Sequence, residues 1–464
     1  MLLRPALAAL LASLTLLTVP HAQSPDWLDA YREPAARIVT EATSGPHAWE
    51  RLAELTDTFG ARFSGSENLE RAIAWTVEMM RRDGLENVRT ETVMVPRWVR
   101  GAESAEIVSP ARSPLAMLGL GGSVGTPADG IQAETLVVSS FAELDARAAD
   151  AKGRVVVFNV PFTTYGETVQ YRSSGPSRVA EVGAVAMLLR SVGPVGLRTP
   201  HTGALRYAAG ARQVPAAGIS AEDAERLHRM QRRGTKTIVR LKMDARFFPD
   251  VESANVVAEI RGRETPDEVV VVGGHFDSWD VGTGATDDGG GCIATWEALR
   301  IVRVLGLRPR RTLRVVLFTN EENGLRGGFA YRDRYKTELS RHVLMIESDG
   351  GVFRPTGFGF SGNDAARRTI ERIGSLLAGI DAHRVGPQGG GADIGPSVEA
   401  ARIPAMSLNV DGNYFLIHHT PADTIDRIRP EEIARATAAI AVMAYVVADL
   451  PQRLGQKPAG RPDL

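Results

Sequence analysis

The run EVVVVGGHFDSWDVGTGATDDGGG, residues 268–291, constrains this chain more than any other stretch. Its first five residues read as a strand that is apolar without alternation. Such a strand is buried on both faces, as in a parallel sheet covered by helices. Directly after it come His275 and four aspartates, Asp277, Asp280, Asp287 and Asp288, set among glycines with no Lys or Arg between them. The positive charge that balances them has to come from elsewhere.

The C-terminal half repeats this grammar. NVVAEI, EVVVVGGHFD, RTLRVVLFTNEE, HVLMIESDGG and PAMSLNV read as strands. GCIATWEALRIVRVL, LRGGFAYRDRYK and AARRTIERIGSLLAGI between them read as helices, and PEEIARATAAIAVMAYVVADL as a long amphipathic helix. The alternation predicts an α/β fold, a mainly parallel mixed sheet with helices on both faces. Upstream, residues 26–84 have helical spacing, with Ser66 as an N-cap and Gly84 closing a helix, and residues 88–96 alternate like a strand. From 110 to 245 the texture changes. Strands and helices continue there without any acid–histidine cluster, which predicts a module inserted between 23–109 and 246–464.

Lys+Arg 54 against Asp+Glu 55 gives a net charge of −1, which argues against a nucleic-acid binder. Arg4 followed by an apolar run from Ala6 to Val19 reads as a secretory leader, residues 1–22. It predicts a secreted or periplasmic protein with no membrane attachment after cleavage. The single cysteine, Cys292, excludes an intrachain disulfide and reads as a small buried hydrophobe.

The acids collect at strand ends. One strand ends in His275-Phe276-Asp277 with Asp287 and Asp288 beyond, the next in Glu321-Glu322, the third in Glu347-Ser348-Asp349. In a parallel sheet these ends point the same way, and ligand sites lie just outside them. His275, Asp287, Glu321, Glu322 and Asp349 therefore converge. So many carboxylates repel unless a cation is present. Histidine with carboxylate and no thiolate suits zinc, manganese or cobalt. NYFLIHHTPADT supplies His418 and His419, enough for a two-metal site with one bridging acid. One of the adjacent pair Glu321 and Glu322 can bind metal while the other moves protons.

At these residues, and at RFSGSENLERAI and DGLENV near the start, the sequence resembles peptidase family M28, which contains zinc aminopeptidases and glutamate carboxypeptidases. The inserted module resembles a protease-associated domain, a small β-rich fold. The resemblance implies two Zn2+ per chain, with Mn2+ or Co2+ as substitutes. It implies His275, Asp287, Glu322, Asp349 and His419 as ligands, Asp287 bridging, and Glu321 as general base and acid. Asp277 is placed to accept from the free ring nitrogen of His275, and Asp288 to cap the following helix. Many members carry a Tyr where this chain has His418, so His418 is expected to donate to the oxyanion. Asp393, in GPQGGGADIGPS, is a candidate for a substrate amine, and Arg62, in GARFSGS, for a substrate carboxylate. The expected substrates are small peptides, dipeptides especially, and the expected assembly a homodimer. An aminopeptidase, a one-zinc glutaminyl cyclase and an inactive scaffold are the alternatives.

Overall fold

The computed structural model describes residues 26–456; the expected leader, 1–22, lies outside them. Three helices, Asp29–Thr43, His47–Phe59 and Glu67–Arg82, lead into strand β1 (Glu86–Val99). The Ser66 hydroxyl accepts from the Leu69 amide and caps the third helix as its sequence predicts. Eight strands of a separate sheet follow: β2 (Glu103–Ser109), β3 (Ser113–Leu115), β4 (Met117–Gly119), β5 (Ile131–Val138), β6 (Val155–Phe158), β7 (Ala186–Arg190), β8 (Ala216–Ile219) and β9 (Ile238–Met243). The chain then returns to the sheet begun by β1 with β10 (Arg246–Ile260), β11 (Thr265–His275), β12 (Arg311–Phe318), β13 (His342–Glu347), β14 (Arg354–Ser361), β15 (Arg384–Gly386) and β16 (Ala405–Asp411).

The first sheet has the order β1-β10-β12-β11-β13-β16-β14-β15. Its centre, from β12 through β11 and β13 to β16, is parallel, while β1, β10 and β14 join antiparallel. The sheet is therefore mixed, parallel where the site lies. Val270 and Val272 face one apolar core with the helices Gly290–Val304 and Pro430–Asp449, and Val269 and Val271 face a second with Tyr331 and Val398. Alternate residues of one apolar run thus fill two cores. Cys292 is buried in the first. The C-terminal helix Pro430–Asp449 departs from the amphipathic expectation: every residue from Ala436 to Ala448 is buried. Its many alanines let neighbouring helices close on it from several sides.

The second sheet has the order β3-β2-β9-β5-β6-β7-β8-β4, with β5 through β8 parallel. It takes in residues 103–109, which the sequence reading left with the first part. Parallel strands need crossover connections, and here they are helical, as in Tyr165–Ser173 and Gly175–Glu181. The inserted segment is thus a mixed α/β module rather than a β-rich one. Among the described residues no helix is long and apolar enough to cross a membrane.

Candidate active site

Register explains the convergence. In the parallel ladders His275 pairs with Phe318, and Gly273 with Glu347, so the residues just beyond β11, β12 and β13 leave the sheet side by side. Gly274 is required there: a Cβ would lie 2.1 Å from the Asp288 carboxylate. Asp288 accepts from the backbone amides of His275 (3.2 Å) and Gly291 (3.1 Å), tying the strand to the start of the next helix, whose N-cap position itself falls on Gly289.

Asp287 lies between two clusters. Its Oδ1 is 3.2 Å from His275 Nε2, which is also 3.3 Å from Asp349 Oδ1. Its Oδ2 is 3.3 Å from His419 Nε2, which is also 3.2 Å from Glu322 Oε2. His275, Asp287, Glu322 and His419 are buried, and Asp349 is half-buried. One carboxylate thus offers an oxygen to each of two donor sets.

The donor chemistry fits metal ions. His275 Nδ1 lies 2.9 Å from the Asp277 carbonyl, which can only accept, so Nδ1 donates and Nε2 faces the carboxylate oxygens of Asp287 and Asp349. Positive charge is required there, either as a proton on Nε2 or as a metal ion between the partners. Asp287 Oδ2, Glu322 Oε1 and Asp349 Oδ1 are buried without a hydrogen-bond partner. Burial opposes a charge on His275, but Asp349 and Asp287 beside it hold its pKa well above the usual histidine range. Burial, reinforced by Asp287, holds Glu322 well above the carboxylate range, and burial with Asp349 and Asp277 pushes Glu321 up to about 8. Among the described residues no Lys or Arg pairs with these acids.

Two expectations are corrected. The Asp277 carboxylate does not serve His275, whose Nδ1 is 4.0 Å from it and takes the backbone carbonyl instead. It accepts from the amides of Glu321 (3.0 Å) and Glu322 (3.3 Å) and from the Ser64 hydroxyl (3.0 Å), and so fixes the Glu-Glu turn. Two residues past His275 the chain has left the strand, so its side chain turns toward the next strand's loop. Arg62 is out of reach of any substrate carboxylate. It is 0% exposed, and its guanidinium donates to four carbonyls, those of Phe276, Gly60, Thr283 and Gly284.

Asp393 is not a surface turn residue. It is buried with both carboxylate oxygens unpartnered, and burial, with Glu347, Glu321 and Asp277 nearby, raises its pKa well above the carboxylate range. His418 stacks on His419 at 3.5 Å between centroids, with Nε2 3.7 Å from Asp287. Burial brings it down to about 3, so it is a neutral imidazole.

Sequence reasoning missed three side chains. Asp423 accepts from the Thr286 amide (2.7 Å) and hydroxyl (2.6 Å) and from the Asp287 amide (3.1 Å), joining the His419 loop to the Asp287 loop. Tyr414 packs against the His418 ring at 4.9 Å between centroids. Glu347 accepts from the Ile394 amide at 2.9 Å, and burial with Asp349 pushes it to about 7. All three lie in the quoted motifs or beside them; their only signal was proximity to the histidine pair or a strand end.

This geometry meets its counterpart in comparison with known proteins. Residues 255–444 match the model of Peptidase family M28. Carboxypeptidase Q of Mus musculus is 46% identical over 428 residues, covering 91% of each chain. The chain belongs to peptidase family M28. Carboxypeptidase Q of Homo sapiens is 47% identical, covering 88% of this chain and 86% of its own. A crystal structure of a Peptidase M28 precursor from Shewanella amazonensis superposes with a TM-score of 0.89 at 34% identity, over 93% of this chain and all of that one. This M28 chain is accordingly a peptidase, a hydrolase of the metallopeptidase class.

Proposed function

We propose that the chain is an exported di-zinc exopeptidase acting on small peptides, dipeptides foremost, in the manner of a carboxypeptidase Q. The observation that carries this is Asp287 shared between two donor sets. His275, Asp287 and Asp349 would hold one ion, and Asp287, Glu322 and His419 the other. Two zinc ions held there would supply Lewis acidity, for polarising a scissile carbonyl and lowering the pKa of a water. Glu321 stays outside both sets, with its amide anchored on Asp277 and its carboxylate free to take a proton. It passes that proton to the departing amine. His418, neutral at working pH, donates from a ring nitrogen to the carbonyl oxygen as it becomes negative.

Asp393 supports recognition of a free α-amine, since it is a buried acid without a partner. That favours substrates with a free N-terminus and keeps the aminopeptidase alternative in view. The second module is read as a protease-associated-like domain beside the site, the leader as the export signal, and the working unit as a homodimer.

The test is zinc content by mass spectrometry together with hydrolysis of free and N-blocked dipeptides, repeated with Glu321→Gln. Two zinc per chain, with kcat/KM lowered about 10³-fold in a variant that keeps its metal, is expected. One zinc without peptide cleavage would point to cyclase chemistry, and no metal at all to a scaffold. Cleavage of N-blocked substrates at an undiminished rate would remove the amine role of Asp393.

A further inference from the structure

The second module meets the first sheet's loops in two contacts of different character. One is closed. Phe63, Trp98 and Trp279 are buried together; the Trp98 indole donates to the Ser123 carbonyl at 2.9 Å, and a Cβ on Gly121 would lie 2.0 Å from the Trp279 ring. The Thr202 amide donates to the carbonyl of His419, whose ring meets Trp279 edge-on at 5.5 Å. Large rings buried across a junction, with their polar edges paired, are what holds it.

The other contact is open. Phe162 and Tyr165, at the start of the helix Tyr165–Ser173, reach Phe415 at 5.9 and 5.2 Å between ring centroids, Tyr165 lying within 19° of parallel. Phe415 in turn meets Tyr414 at 5.2 Å. Tyr165, Tyr414 and Phe415 all pack on the His418 ring, at 5.2, 4.9 and 5.6 Å. The row ends against the loop after Asp349, where a Cβ on Gly351 would lie 3.5 Å from the Tyr414 ring. All four aromatic side chains are half-buried. One apolar wall thus runs from the second module, along His418, to the edge of the donor sets, and keeps a side open to water.

A wall of that kind is not needed to join the modules, since the closed contact already does so. It does supply what the donor sets lack. They offer a peptide only charge and lone pairs, whereas sites for small molecules combine a few convergent polar groups with apolar and aromatic walls. Tyr165 is also fixed in place. Arg172, buried, donates to its hydroxyl at 2.6 Å and lies over its ring at 5.4 Å. A ring held in this way loses little freedom when a ligand arrives.

We propose that Phe162 and Tyr165 of the second module form, with Tyr414 and Phe415, the subsite for a large apolar side chain of the peptide, so that the inserted module selects the substrate. This rests on the dipeptide reading above.

The test is kcat/KM of the full-length, zinc-loaded enzyme on Gly-Gly, Leu-Gly and Gly-Leu, with melting of each variant as the folding control. The wild type is expected to prefer one of the leucine peptides over Gly-Gly by about 10²-fold. Phe162→Ala and Tyr165→Ala should each lower that preference about tenfold and leave Gly-Gly cleavage within about twofold. Tyr165→Phe keeps the ring and should keep the preference. Phe141→Ala removes a ring stacked on Tyr171 at 4.4 Å in the same module and should not alter it. A merely structural role would slow all three peptides alike, in step with lowered melting temperature, and that result overturns the subsite. An unchanged preference in the alanine variants overturns it too, as does a wild type that cleaves all three peptides equally well. If Tyr165→Ala fails to fold, the half-buried Phe162 decides alone. A wild type that cleaves none of the three would instead sink the dipeptide reading, and the subsite with it.

Discussion

Arg62 offers a sharp separation between a structural and a substrate role. Its four hydrogen bonds, at 3.0, 3.2, 2.7 and 3.0 Å, end on carbonyls that precede Asp277 and Asp287 in the chain. Arg62→Met keeps much of the volume and removes every donor. The bonds to Phe276 and Gly284 are fully buried, so each abandoned carbonyl costs about 1–3 kcal/mol, and the two part-buried ones cost less because water can reach them. Relief from burying the guanidinium offsets part of this, while the loss of a cation near Asp423, Asp277 and Asp288 adds to it. The net is about 4 kcal/mol, a large share of the roughly 5–15 kcal/mol that holds a folded chain together. Calorimetry of the zinc-loaded protein should show Tm lowered by roughly 4–5 °C, with Arg62→Lys falling between. If Arg62→Met melts like the wild type while KM for dipeptides rises tenfold at constant kcat, then Arg62 does meet a substrate carboxylate. The buried geometry described above would then be wrong.

Other perturbations test neighbouring parts of the site. Asp277→Ala removes the acceptor shared by Glu321, Glu322 and Ser64; kcat/KM should fall about 10²-fold, with Asp277→Asn intermediate because one accepting oxygen survives. Burial and neighbouring acids raise Glu321 to about 8, Glu347 to about 7 and Asp423 to about 6. The folded metal-free chain thus binds more protons than the unfolded one, and its stability should fall as pH rises through the folded pKa values toward 8; saturating zinc should abolish that fall in melting experiments. His342 behaves oppositely. Burial lowers it to about 4, against an ordinary 6.5, while its Nε2 meets the Tyr331 hydroxyl at 2.8 Å. Its contribution is whole above pH 6.5 and is lost as pH falls through 4, and His342→Gln should flatten a slope worth up to about 3 kcal/mol in acid denaturation.

The five residues of the two donor sets were legible for a physical reason. Parallel strands align their carboxyl ends, so His275, Glu322 and Asp349 needed only strand assignments to be brought together, and the glycines around Asp287 marked a tight loop beside them. The His419 motif was legible by residue type alone. What escaped was direction. Nothing in the spacing of His275 and Asp277 says that the ring will choose the carbonyl and the carboxylate the Glu321–Glu322 turn. The charge on Arg62 suggested solvent or substrate, although a planar fork with five donors is equally suited to a bundle of buried carbonyls. The alanines of Pro430–Asp449 looked like a polar face only because small residues carry little hydrophobic signal, yet they pack as tightly as the valines among them.

The contact between Thr202 and His419 was the least legible of all, and the reason is general. Its partners are 217 positions apart, and the groups that meet are mostly backbone. Every residue but proline carries an amide N–H, so residue identity cannot single out the one at 202. The trace that did reach the sequence is Gly203, because only a glycine tolerates both its conformation and the closeness of the His419 ring. In this chain side-chain types revealed which atoms perform chemistry. The groups that aim those atoms are written in backbone, and the sequence records them only where a side chain had to be left out.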